Sequence, residues 1–432
     1  MSKDDKDIDG FFSSARTSSR EAPVELSEES FHHFLFALDD EKLAPWRGMD
    51  YEEFTAARQD NPFLKQLLAD WNALYEEPFT GVTSDGIVQN GLYSLSDSGS
   101  ADPALVRAAA RLLGSLSAEQ RDTVSYPLDA PEWRAWSNPE FVFHRVGLRL
   151  ETLDDVVVEL VHDVLRAALS TEGYSRVVEA MQLNGFLGEL VDLPTIMNDR
   201  SFWFALYGEP SLDSPWGFQL FGHHVALHFV TVGGREIIAP LFIGAEPAHS
   251  EDARPPIFDS RERLSLALAS SLRPEQRSQA VVYESVLDPV MPAGRLHPAD
   301  ERHVAGAFRD NRVVPYEGIP VSELDATQQE LLRQIVEDFH LLLAVPQRAR
   351  TMAEYDSHID ETWFSWYGAT DGSQPIYFRV QSPVILAELD NHAGVWLNNR
   401  LPARFHVHST LRLPNGNDYG KASIAAYRRS RR

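Results

Sequence analysis

Hydrophobic positions along this chain recur at helical spacing through most of its first half, then give way to strand-like runs. Ser27-Glu28-Glu29-Ser30 stands before Phe31, Phe34, Leu35 and Leu38, the pattern of a capped helix start. Phe54, Phe63, Leu64, Leu67, Leu68, Trp71 and Leu74 predict a helix over 51–74. Residues 79–86 read as a turn-rich connection. Helices follow at 103–116 and 117–124, the second opened by Ser117-Ala118-Glu119-Gln120, where the serine and glutamine can cap each other's backbone. Two more are expected at 153–169 and 174–183.

The spacing changes at Pro215-Trp216. Residues 217–230 and 235–243 are rich in β-branched and aromatic side chains, and Gly233-Gly234 between them supplies the positive φ of a tight hairpin. Helical spacing returns at 260–270, 274–281 and 322–343. Strands are then expected at 362–367, 374–381, 384–390 and 404–411. Helices and strands are segregated instead of alternating, so the expected class is α+β with an antiparallel sheet. The chain divides into a disordered tail over 1–25 and one domain over 26–432. That domain comprises a helical part to about 215, a hairpin at 216–245, helices at 257–345 and C-terminal strands at 360–412. No internal repeat is evident in this pattern.

Composition narrows the partners. Of 432 residues, 39 are Lys or Arg and 64 are Asp or Glu, a formal charge of −25. So acidic a chain repels phosphate backbones and anionic bilayers, which argues against nucleic acid and membrane partners. The first twenty residues are charged and Ser-rich, with no apolar run of signal-peptide length, and no stretch of 18 apolar residues follows, so a cytoplasmic location is expected. There is no cysteine, which excludes disulfides, thiolate nucleophiles and cysteine-ligated metals.

Any metal chemistry therefore falls to imidazole and carboxylate. His406 and His408 are two apart in a strand-like run, so their rings share a face roughly 6.6 Å apart at Cα, a spacing that lets both reach one ion. His223 and His224 are adjacent, so in a regular strand only one of them can join that pair, unless a bulge at Gly222 re-aims them. His228 stands roughly 13 Å from His224 on a strand, too far for a shared ion. Glu388 and Asp390 share a face at the end of an apolar strand; Glu388 is the candidate carboxylate, and Asp390-Asn391 also fits a turn. Arg145, Arg312 and Arg379 are candidate clamps for a substrate carboxylate, against the ordinary alternative of structural ion pairs. Trp133, Trp216 and Tyr377 are candidate pocket walls, though aromatic residues are core by default. Phosphate-binding glycine loops, HExxH and GxSxG motifs are absent.

The run Trp216 to Leu227, with Gly222-His223-His224 at its centre, resembles the central motif of the domain of unknown function 3500 family. The resemblance continues through Pro240 to Ala248, Arg309 to Gly318, Trp366-Tyr367-Gly368, Tyr377 to Pro383, Glu388 to Asn391, His406 to Ser409 and Asn417 to Gly420. It covers roughly residues 75–428 and implies that His223-His224, Glu388 and His406-His408 belong to recurring blocks of that family. Two positions depart from the pattern: His228 stands where Asn is expected, and the aromatic after the last histidine pair is less evident. The family name implies no activity.

These readings converge on a metal-dependent enzyme acting on a small organic molecule. One ion, Fe, Cu or Zn, would be held by His223 or His224 with His406 and His408, and Glu388, Arg379 and Arg312 would serve catalysis. Oxidative chemistry is favoured over hydrolysis. The alternatives are a metal-free hydrolase or lyase using the same histidines and Glu388 as acid and base, and a non-catalytic small-molecule binding protein.

Overall fold

The computed structural model describes residues 30–93, 95, 99–252 and 254–431; the expected tail over 1–25 lies outside them. Among the described residues, twelve strands join one sheet. In chain order they are β1 (Ser125–Tyr126), β2 (Leu148–Arg149), β3 (Phe202–Tyr207), β4 (Trp216–Gly222), β5 (Val225–Val232), β6 (Arg235–Ala245), β7 (Val281–Tyr283), β8 (Ile319–Pro320), β9 (Trp363–Tyr367), β10 (Tyr377–Gln381), β11 (Leu386–His392) and β12 (Ala403–Arg412). Across the sheet the order is β1-β3-β4-β5-β6-β12-β11-β10-β9-β7, with β2 also on β3 and β8 also on β9. Only the edge pairs β1–β3 and β7–β9 are parallel. The class is α+β, and the described residues before β3 are mainly helical.

Local chemistry sets the element boundaries. The helix expected over 51–74 is two helices, Tyr51–Gln59 and Pro62–Glu76, because Asn61 caps the second and Pro62 opens it. Ser117 and Gln120 form the expected reciprocal cap. Asp325 and Gln328 form another, so the third late helix begins at Ala326, after a short 3-10 turn. Strand β3, all apolar and aromatic, was not expected from the sequence; its continuous hydrophobic run reflects burial on both faces.

The chain is internally duplicated, contrary to the expectation of no repeat. The first half runs through helices Pro103–Ser115 and Ala118–Val124, the short strands β1 and β2, helices Asp155–Ala168 and Thr171–Leu190, and the meander β3 to β6. In the second, Asp259–Ser271 and Pro274–Ala280 lead to β7 and β8, helices Ala326–Phe339 and Val345–Ser357, and the meander β9 to β12. In each half the first short strand is parallel and the second antiparallel to the meander's first strand. Residue likeness follows the same alignment. Glu119-Gln120-Arg121 matches Glu275-Gln276-Arg277, Leu153-Asp154 matches Leu324-Asp325, and Tyr207-Gly208 matches Tyr367-Gly368. The halves meet where β6 pairs with β12. Leu241, opposite Leu227, corresponds to Leu411, opposite Ala387, and the two leucines face each other across the junction. A pseudo-twofold axis therefore passes between them.

Strand alternation separates the sheet's two faces. One face carries Phe204, Trp216, Phe218, Phe229, Leu241, Phe378, Leu389, Val407 and Leu411, packed under the helices of both halves. The other carries Glu388, Asp390 and His392 on β11, and His406, His408, Thr410 and Arg412 on β12, all buried beneath loops. Each large apolar side chain on the helical face contributes roughly 1.5–3 kcal/mol, so the core rests on that layer and leaves the opposite face available for polar groups.

Equivalent glycines, Gly147 and Gly318, share a left-handed φ of +85° and +87°. A Cβ at either would collide with a carbonyl of the adjacent strand, Phe204 O or Phe364 O. Gly147→Ala and Gly318→Ala should each lower stability by about 2 kcal/mol or more, while Gly114→Ala, in open space on helix Pro103–Ser115, should be neutral or raise it by up to about 1 kcal/mol. Urea denaturation of the three variants measures this; similar losses at all three positions would contradict it.

Candidate metal centre

His223 and His224 form the two-residue turn between β4 and β5, since Gly222 pairs directly with Val225. The continuous strand expected over 217–230 is thus broken at the two histidines. His224 has φ +63°, a left-handed conformation in which Gly or Asn fits more easily. The rings stack 3.8 Å apart, but their surroundings differ. His223 Nδ1 lies 2.8 Å from Asn184 Oδ1. His224 turns toward β12, its ring 5.6 Å from that of His406 and 5.2 Å from that of His408.

The ligand nitrogens of His224, His406 and His408 all lie within 4.8 Å of one another, and all three residues are buried. Gly244 on β6 makes this approach possible. It pairs with His408, and a Cβ there would stand 2.8 Å from His408 Cδ2 and 2.9 Å from His224 Cδ2. His406 Nδ1 donates to Ala393 O at 2.7 Å, which leaves Nε2 with its lone pair in the neutral ring. That Nε2 faces His408 Nε2 at 3.1 Å. The support for His406 is itself anchored. The buried Glu246 carboxylate accepts the backbone N–H groups of Val395, Trp396 and Leu397, beside Ala393, and burial pushes it up to about 7. Burial, followed by neighbouring imidazoles, holds His224 and His408 well below the usual histidine range; burial and His392 do the same for His406. The rings are therefore neutral, the form that ligates metals.

A second group adjoins the first. His303, Asp390 and His392 bring one ligand atom each within the same 4.8 Å limit and are also buried. The His392 ring lies 3.8 Å from that of His408. His392 continues the face of Glu388 and Asp390 at the same two-residue spacing, a regularity that makes it a candidate from sequence alone. His303 had no such signal. It sits in a loop pinned to the sheet by side chains of β11 and β12. Glu388 accepts the N–H groups of Val304 and Ala305 at 2.9 and 3.1 Å, and Arg412 donates to Ala305 O and Gly306 O.

The other expected site residues fall in several places. Glu388 is fully buried and takes a third hydrogen bond from Tyr377 Oη at 2.7 Å, but it belongs to neither group. The carboxylate among the histidines is instead Asp390, so Glu388 and Tyr377 position the loop. Arg379 is buried in an ion pair with Glu317 at 3.1 Å and donates to Pro315 O. Arg145 is exposed and pairs with Glu52 on the surface. Arg312 is half-buried, with no side-chain hydrogen bond or ion pair among the described residues. Trp133 stacks on Tyr207 at 3.7 Å, near His228. Trp216 is packed in the core on the sheet's opposite face, because strand alternation points it toward the helices. His228 donates from Nδ1 to Pro240 O at 2.7 Å and stands apart from both groups.

The fold and this centre define a duplicated α+β protein with a buried cluster of neutral imidazoles on the polar face of one half. A family model described as Protein of unknown function (DUF3500) matches residues 98–421, and the chain belongs to that family. No curated protein and no solved structure matches it. Among the described residues no helix is long and apolar enough to cross a membrane.

Two expectations follow. Gly244→Ala forces a methyl between two imidazoles and should cost about 1–3 kcal/mol by overpacking, readable by urea denaturation; an unchanged midpoint would refute the close approach. Burial lowers His228 to about 3, whereas an unfolded histidine takes up its proton near 6.5. The unfolded chain thus gains a proton that the folded chain refuses, and stability falls as pH drops through that window. His228→Asn keeps a donor for Pro240 O without titrating. It should flatten the pH dependence of stability by up to about 1.4 kcal/mol per pH unit between these values, and parallel wild-type and variant curves would contradict this.

Proposed function

We propose that the protein is a metal-dependent enzyme acting on a small organic molecule, with an ion held by His224, His406 and His408. The supporting observation is the convergence of three buried, neutral imidazoles whose ligand atoms lie within 4.8 Å. Two of them face nitrogen to nitrogen where one ring's other nitrogen is committed to a carbonyl. Two lone pairs at this distance are poorly matched unless a proton or a cation stands between them. Three protein ligands leave a further coordination position for water or substrate, the arrangement of catalytic rather than structural ions. Nitrogen donors without thiolates suit Zn, Fe or Cu. Such an ion can polarise a substrate oxygen or lower the pKa of a bound water, and Fe or Cu would also support oxidation. Half-buried Arg312 is the cation best suited to meet a substrate carboxylate, since Arg379 is paired with Glu317 and Arg145 with surface Glu52.

His224 in its left-handed turn costs roughly 1–2 kcal/mol relative to glycine. A fold that keeps a histidine there gains something from its ring beyond stability. Protein purified without chelators should therefore carry at least one equivalent of Zn, Fe or Cu by elemental analysis, and His406→Ala/His408→Ala should lose it. His224→Asn should retain its melting temperature while its metal affinity falls by tenfold or more. Wild-type protein that holds no metal and takes up none on addition would overturn the reading.

A further inference from the structure

We infer that the centre holds two metal ions, the second ligated by His303 Nε2, Asp390 and His392 Nε2. This rests on the proposed role of the first group and extends it. The geometry carries the inference in three ways.

First, two buried nitrogens in this group lack any hydrogen-bond partner. His303 Nε2 and His392 Nε2 are both orphaned, at residues 5% and 3% exposed. A buried polar nitrogen left without a partner is destabilising, so such atoms are normally satisfied. His392 Nε2 lies 3.2 Å from Asp390 Oδ2 without hydrogen-bonding geometry. Atoms arranged around a common ion produce such a contact, being near one another but not aimed at one another.

Second, the remaining atoms of these side chains are already held, as outer groups around a metal hold its ligands. His303 Nδ1 is 2.7 Å from Thr410 Oγ1, which fixes the ring and directs Nε2 inward. Asp390 Oδ1 accepts from Arg302 Nε at 2.6 Å, while Oδ2 accepts from the Arg302 amide at 3.2 Å and stands 3.2 Å from His392 Nε2, so Oδ2 keeps a lone pair for an ion. Arg302, itself fully buried, also pairs with Glu301, whose other oxygen accepts the Ala393 N–H. The carbonyl of that same Ala393 orients His406 in the first group. The two groups are thus tied to one scaffold.

Third, one guanidinium serves two carboxylates at this group, since Arg302 is shared by Asp390 and Glu301, and an added cation would offset the second charge. With the His392 and His408 rings 3.8 Å apart, two ions would lie side by side across the β11–β12 pair, a two-ion arrangement that can clamp one substrate between them.

Chelator-stripped protein titrated with Co(II) tests this through its visible absorption and a stoichiometry from equilibrium dialysis. The wild type should bind two equivalents per chain, and His303→Gln/His392→Gln should bind one. Thr410→Val removes only the hydroxyl that orients His303, and it should weaken one of the two equivalents by about 10–100-fold while leaving the other unchanged. One equivalent in both the wild type and the double variant would overturn the second site while the His224, His406 and His408 site stands. No Co(II) bound to the wild type would overturn both. Two equivalents of unchanged affinity in Thr410→Val would remove His303 from the ligands, whatever the fate of the double variant.

Discussion

The antiparallel pairing of β6 with β12 is the constraint on which the rest depends. It is the sole strand contact joining the two meanders within the described sheet, and it sets Gly244 opposite His408. That one register brings the β4–β5 turn of the first half over the second, so that His224 reaches rings nearly two hundred residues away. A slip by one residue would turn His406 and His408 toward the helical core and present Val407 to the site. The site is therefore as well specified as the core, because both are fixed by the same two-residue period.

The duplicated halves use equivalent positions differently. Register aligns Glu388 with His228, Arg379 with Gln219, and Asp390 with Val230, through the pairings Phe378–Leu389 and Phe218–Phe229. In the second half these positions are carboxylate, guanidinium and carboxylate, and they hold a loop bearing His303. In the first half the same face is filled by Trp133, Trp136, Phe221 and Val230. Gly217, the counterpart of Tyr377, leaves the space that the Trp133 ring enters. One half supplies the polar centre; the other supplies packing, plus a single ring from its hairpin tip.

Much of this was legible in the residues. The alternation of β12 carried His406 and His408, whereas the strand alternation expected to separate His223 from His224 does not apply, because the two form a turn in which their rings stack. Several helix boundaries followed capping chemistry, but Pro62 splits one expected helix, the start expected before Phe31 yields only the 3-10 turn Phe31–Phe34, and helix Val345–Ser357 lies beyond the helix expected to end at 343. What local pattern could not carry was pairing between distant segments. His303 lies in a loop whose position is set by Glu388 and Arg412, so nothing within five residues of it announces a ligand. The choice of Asp390 over Glu388 likewise depends on which carboxylate the loop amides claim first. The repeat is hard to read from local pattern because its likeness sits in capping, turn and edge positions, while the polar faces of the two halves of the sheet differ in chemistry.

The pseudo-twofold axis between Leu241 and Leu411 has one more consequence. Two separate copies of such a half could pair through the same edge as a symmetric homodimer. In that assembly every substitution near the axis would be made twice, and any group built on one side would be mirrored on the other. Joining the halves in a single polypeptide removes that obligation. A histidine can be placed on one side of the junction and a tryptophan on the other, and the molecule can hold one asymmetric centre where symmetry would require a pair.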